Sequence, residues 1–141
     1  MMYFPTFAKI TVLLALATSP STAHFYLNYP PPIGFDDALE THGPCGGFTA
    51  DFSKNNVTDF YVDGNPIAIQ DIHTEAKWLF RATIDLTGSG NWTSLLPIVE
   101  QNGLGDFCET NVKVPSTWAG KQGIIGVVQD SPPDRFLYQV R

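Results

Sequence analysis

Apolar and polar residues alternate along residues 77–87. Trp78, Phe80, Ala82, Ile84 and Leu86 fall on one face, while Lys77, Arg81, Thr83, Asp85 and Thr87 fall on the other, with Leu79 the exception. A period of two predicts a strand with one buried face. Shorter runs at 57–62, 67–72, 113–114, 123–128 and 136–140 are rich in β-branched and aromatic residues and are separated by Gly, Pro, Asn and Asp. They predict further strands. No stretch of ten or more residues carries a helical stripe, and residues 94–101 predict at most a turn or two. Tyr29-Pro30-Pro31-Pro32 is stiff and extended because proline fixes φ and restricts the residue before it. Residues 36–47 read as a loop ending in Pro44-Cys45-Gly46-Gly47. Many short strands joined by turns predict an all-β chain, an antiparallel β-sandwich with long loops.

The first 23 residues have a different pattern. Lys9 precedes an apolar run at 10–17, which gives way to Ser19-Pro20-Ser21-Thr22-Ala23. Basic, apolar and small-residue segments in that order predict a secretory signal peptide cut after Ala23, with Ser21 and Ala23 at the −3 and −1 positions. The run is far short of the ~20 residues that span a bilayer. Cleavage leaves a domain of residues 24–141 that begins with His24, large enough for one modest core.

The 141-residue chain carries eight Lys and Arg against 14 Asp and Glu. Losing Lys9 with the leader leaves seven basic side chains and a net charge of −7. Nucleic acid and anionic lipid both select clustered Lys and Arg, so neither is expected as a partner. The exported chain meets an oxidising compartment with two cysteines, Cys45 and Cys108, for which one disulfide is the default expectation. Asn56-Val57-Thr58 and Asn91-Trp92-Thr93 are N-glycosylation acceptors in turn-like surroundings.

An N-terminal histidine offers its α-amine and its imidazole Nδ1 to one metal ion as a chelate. His73, at the end of the 67–72 run, reads as a surface turn residue when taken alone. Together with His24 it completes a T-shaped set of three nitrogens, a histidine brace. Amine and imidazole donors suit borderline metals, among which Cu(II) binds such sites most tightly. An α-amine with a pKa of ~7.7–8.0 and imidazoles near ~6.5 shed protons readily enough to bind copper around neutrality. His42, in the loop before Cys45, reads as solvent-exposed. There is no Gly-x-Ser-x-Gly, no Cys-x-x-Cys and no phosphate-cradling glycine loop, so a serine nucleophile, a dithiol site and a nucleotide site lack support.

His24-Phe25-Tyr26-Leu27-Asn28-Tyr29-Pro30, Gly34-Phe35-Asp36 and Pro44-Cys45-Gly46-Gly47-Phe48 together resemble the fungal copper acquisition factor-like family, histidine-brace proteins related to lytic polysaccharide monooxygenases. Gly103-Leu104-Gly105-Asp106-Phe107-Cys108 is similar to the family's Gly-x-Gly-x-Phe-Cys element, and Leu137-Tyr138-Gln139 matches the start of its Leu-Tyr-Gln-Cys-Ala-Asp motif. The resemblance implies an immunoglobulin- or fibronectin-like sandwich holding one copper, with His24 and His73 as ligands. It implies a role in copper uptake at the cell surface, with a plasma-membrane copper transporter as partner, and no catalysis. Relatives often carry a glycolipid anchor.

The chain departs from that pattern at its end. Val140 stands where the motif has cysteine, and the aspartate expected as third ligand would fall just past Arg141, as would a tail and anchor signal. A truncated or altered chain is expected, with weaker metal retention and lower stability. If the family pairs Cys45 with the cysteine missing at 140, a 45–108 bridge is only a fallback. Two other functions stay open: a copper-dependent lytic polysaccharide monooxygenase, and a metal-free secreted β-sandwich that binds protein or glycan.

Overall fold

The computed structural model describes residues 24–132 and 135–141. The expected signal peptide, with Ser21 and Ala23, lies outside the described residues. The strands are β1 (Phe25–Tyr29), β2 (Asn65–Asp71), β3 (Glu75–Thr83), β4 (Thr93–Ser94), β5 (Val99–Asn102), β6 (Gly105–Val112), β7 (Ile124–Ser131) and β8 (Arg135–Val140), with a 3-10 turn at Ser116–Trp118. One sheet runs β1-β2-β6 and the other β4-β3-β7-β8, with β5 also on β3. Every pairing is antiparallel. The expected β-sandwich is the architecture observed.

Its core lies between the sheets. Phe25, Leu27, Ile67, Ile69 and Val112 from the first meet Ala76, Trp78, Phe80, Ala82, Val127 and Leu137 from the second. Trp78 and Phe25 are fully buried and meet edge to face, with centroids 5.1 Å apart, a geometry suited to the ring quadrupoles. The Trp78 indole N–H donates to Gln101 Oε1 at 3.0 Å, so the ring is buried with its polar atom paired.

The alternation predicted at 77–87 holds only to Thr83. Asp85 then takes over: its carboxylate accepts from Thr87 N, Thr87 Oγ1 and Gly90 N, a turn that bends the chain out of the sheet. Ile84 and Leu86 are consequently exposed. The strand expected at 57–62 does not form; those residues run beside the core without ladder partners, and only Phe60 packs against it. Residues 94–101 hold parts of β4 and β5 in place of a helical turn, and 113–114 fall just past β6. β7 is buried on both faces. A second cluster of Cys45, Ile124 and Val140, flanked by Ile33, Ala50, Phe52 and Trp92, covers the side facing away from the main core. That explains an apolar run where a half-buried strand would alternate.

Candidate metal centre

Phe25 pairs with Asp71. His24, one residue before Phe25, and His73, two residues after Asp71, therefore stand at the same end of the β1–β2 ladder. Both side chains are buried. β2 turns Asn65, Ile67, Ile69 and Asp71 inward, so an acid occupies the last apolar-phase position beside His73.

Each histidine is backed by a carboxylate, and each carboxylate by a glutamine from the facing sheet. His24 Nδ1 lies 2.7 Å from Glu40 Oε2, and Gln139 Nε2 donates to Glu40 Oε1 at 2.8 Å. With Glu40 ionised, two donors converge on a carboxylate that can only accept, which assigns the His24 proton to Nδ1. Burial raises the Glu40 carboxyl above its ordinary value, opposed by the hydrogen bonds from Gln139 and His24. His24 Nε2 is buried without a hydrogen-bond partner; Asp37 Oδ2, on an exposed side chain, stands 3.8 Å away. At the second histidine, the His73 main-chain N–H donates to Asp71 Oδ1 at 2.9 Å and Gln129 Nε2 donates to the same oxygen at 2.7 Å. His73 Nδ1 lies 3.3 Å from it, which turns Nε2 to the far side of the ring. A carboxylate hydrogen-bonded behind an imidazole, as Glu40 is behind His24, fixes ring orientation and tautomer.

The loop that supplies Glu40 is locally determined. Asp36 accepts from Ala38 N through its side chain and from Leu39 N through its carbonyl, both at 2.9 Å. The Glu40 carbonyl then accepts from Tyr138 N at 2.8 Å, on the open edge of β8. Arg81 holds the loop's far end: its guanidinium donates to Pro44 O at 2.6 Å and stacks 4.2 Å from the Trp92 ring centroid. Gln139, next to Tyr138, crosses between the sheets. Its Oε1 accepts from Leu27 N at 3.0 Å and its Nε2 donates to Phe25 O, pairing main-chain groups that an edge strand leaves open.

Of the residues singled out in the sequence, His24 and His73 are both buried at the same end of the β1–β2 ladder. His42 is exposed, with Nδ1 3.2 Å from Leu39 O. The 45–108 disulfide is not formed. Cys108 is exposed on β6 of one sheet, whereas Cys45 is buried against Ile124 and Val140 under the other, and both thiols are free. Cys45 thus lies beside the very position, 140, where the family resemblance expects a cysteine. Asn56 and Asn91 are both exposed. Sequence reasoning misses Glu40, Asp71, Gln129 and Gln139.

Among the described residues, no three His, Cys, Asp or Glu side chains are gathered as a ready metal-ligand set. What admits a cation is a set of ring nitrogens: His24 Nε2 is buried without a hydrogen-bond partner, its Nδ1 is held by Glu40, and a second buried imidazole, His73, lies at the same end of the ladder. Two nitrogen donors of that kind suit a borderline ion such as copper. A cavity of about 490 Å³, lined by Ile33, Phe52, Phe60 and Trp118, opens at the opposite end of β1 and has no part in this arrangement.

Fold and site define a small antiparallel β-sandwich with a carboxylate-backed histidine pair at one pole. Residues 22–139 match the family model described as copper acquisition factor BIM1-like, and the chain belongs to that family. The membership gives it a copper-related function and favours a non-enzymatic one. No curated protein matches the chain. Among the described residues, no helix is long and apolar enough to cross a membrane.

Proposed function

We infer that this protein binds copper as cargo through His24 and His73, and that it serves copper uptake at the cell surface. The observation that carries the reading is the pair of buried imidazoles at one end of the β1–β2 ladder, His24 hydrogen-bonded to buried Glu40 and His73 with buried Asp71 3.3 Å from its Nδ1. Unsupported histidines on a flexible loop would bind metal weakly, because orienting them costs entropy on binding. Cleavage after Ala23 would add the His24 α-amine as a third nitrogen and complete a brace once Nδ1 leaves Glu40. Export along the secretory route, sugars on the exposed Asn56 and Asn91, and hand-over to a plasma-membrane copper transporter belong to the same reading. A site with coordination positions left open to exchange suits a carrier, and family membership favours that role over oxidative cleavage of polysaccharide.

Electron paramagnetic resonance of the copper-loaded, exported protein tests the site. An axial Cu(II) spectrum with several nitrogen couplings is expected, and it should be lost in His24→Ala and His73→Ala. Copper binding unchanged by both substitutions would refute the reading. Oxidised oligosaccharides released from cellulose, chitin or xylan with a reductant would overturn the carrier role and leave the copper site standing.

A further inference from the structure

We propose that Glu40, clamped by Gln139, is a positioning residue that competes with the metal ion for Nδ1 of His24. The inference rests on the reading of His24 as a copper ligand and concerns how tightly that ligand is released. A chelate between the terminal amine and the ring closes through Nδ1, the nearer nitrogen. In this structure Nδ1 is already engaged, 2.7 Å from Glu40 Oε2. The engagement is built in. Glu40 is only 2 % exposed, its other oxygen is held by Gln139 at 2.8 Å, and its carbonyl is tied to Tyr138 N. The nitrogen left over, Nε2, is buried without a hydrogen-bond partner.

Copper capture by amine and Nδ1 therefore requires the Nδ1 proton to leave and the Glu40 contact to break. The metal gains two nitrogens at the expense of a charge-assisted hydrogen bond in a water-poor setting, where such bonds are at their strongest. For a protein that must give its cargo up, a carboxylate waiting to recapture the ligand lowers retention and assists release. The alternative is that copper takes Nε2 and that Glu40 supports it from behind. It predicts the opposite sign, since removing a carboxylate behind a ligating imidazole weakens metal binding by about 10–100-fold.

The test uses the protein expressed from Met1 in a secreting host, with its first residue read by mass spectrometry. Long-range ¹H–¹⁵N spectra of the metal-free protein should show the His24 proton on Nδ1, with its resonance moved in Glu40→Gln. A wild-type ring protonated on Nε2 with a bare Nδ1 would overturn the proposal without any metal being added. Copper affinity, measured by competition against a chelator, should rise about tenfold in Glu40→Gln, because a neutral amide holds an imidazole N–H less strongly than a carboxylate does. Glu40→Asp, which withdraws the carboxylate by one methylene, should move affinity the same way. Affinity that stays level or falls in both folded variants, while His24→Ala abolishes binding, would refute the competition and leave the copper site intact. Binding that survives His24→Ala would remove both.

Discussion

Replacing Gln139 by leucine tests whether the polar seam holds the two sheets together at the histidine pole. The side chain is 3 % exposed and serves three groups: Leu27 N–H, Phe25 C=O and the Glu40 carboxylate. Leucine is of similar size, so little cavity is created, but it offers none of these bonds. Each buried group left unpaired costs about 1–3 kcal/mol, with the carboxylate toward the upper end. The three are neighbours and their costs do not simply add, and leucine's own burial returns about 1 kcal/mol. A net loss of about 2–5 kcal/mol follows from these ranges, a large share of the 5–15 kcal/mol typical of a whole domain. Urea unfolding should show the midpoint moving down with the slope unchanged, which marks a loss of stability without a change in the denatured state. The exposed Gln122→Leu, as control, should stay within about 0.5 kcal/mol of wild type. A Gln139→Leu loss below about 1 kcal/mol would show that the edge of β1 finds other partners, and the seam would lose its structural role.

Gly46→Ala should be destabilising by about 1–3 kcal/mol in thermal unfolding, because φ is +64° and an added Cβ would run into the Tyr138 carbonyl; an unchanged midpoint would contradict the close approach of loop and β8. Native protein with both thiols reduced should titrate one fast thiol, Cys108, while buried Cys45, whose pKa is raised by desolvation, reacts only in denaturant; two fast thiols would be inconsistent with that burial. Val140→Cys should oxidise to a bridge between Cys45 and the thiol introduced at position 140, closing most of the domain and adding up to about 4–5 kcal/mol by loop entropy, read as the loss of Cys45 from the thiol count. Hydrogen bonds from the Thr87 side chain and main chain hold the Asp85 carboxyl below its ordinary value of 3.8. A depressed acid adds stability that is present above the unfolded pKa and lost as pH falls through the lower folded one. Asp85→Asn should therefore flatten the acid limb of a stability-versus-pH curve below about 3.8, and a limb as steep as wild type would discount the turn.

The strand at 77–87 was legible because one face packs on the core and the other does not, the condition under which a period of two appears. Its end was not, since Ile84 and Leu86 keep the alternation going after Asp85 has turned the chain away. β6 was missed as a strand for the converse reason: it is an edge strand whose residues 105–111 leave most side chains outside, and its pairing with β2 is carried by main-chain bonds that leave little trace in side-chain pattern. His24 and His73, both buried, were singled out from chemistry. Glu40 was not, because an acid in an acidic loop looks like any solvated side chain until Tyr138 and Gln139 fix it. Asp71, Gln129 and Gln139 did leave a signal. Each is polar at a position in phase with its strand's buried apolar residues, Ile69, Val127 and Leu137, and a buried-phase polar residue needs a partner.

Those misplaced polar residues all gather at one pole, and the gathering has a physical consequence. An apolar filling there would stabilise the sandwich at least as well, since buried polar groups return little net energy even when fully paired. The arrangement instead sets imidazole direction: β8 holds Glu40 behind His24, and β7 holds Asp71 behind His73, each through one glutamine. Both glutamines come from the second sheet, while His24 and His73 flank strands of the first. The relative seating of the sheets and the orientation of the donor nitrogens are therefore one variable. Substitution of Gln129, which loosens the hold on Asp71 beside His73, should weaken metal binding in step with stability although it touches neither histidine.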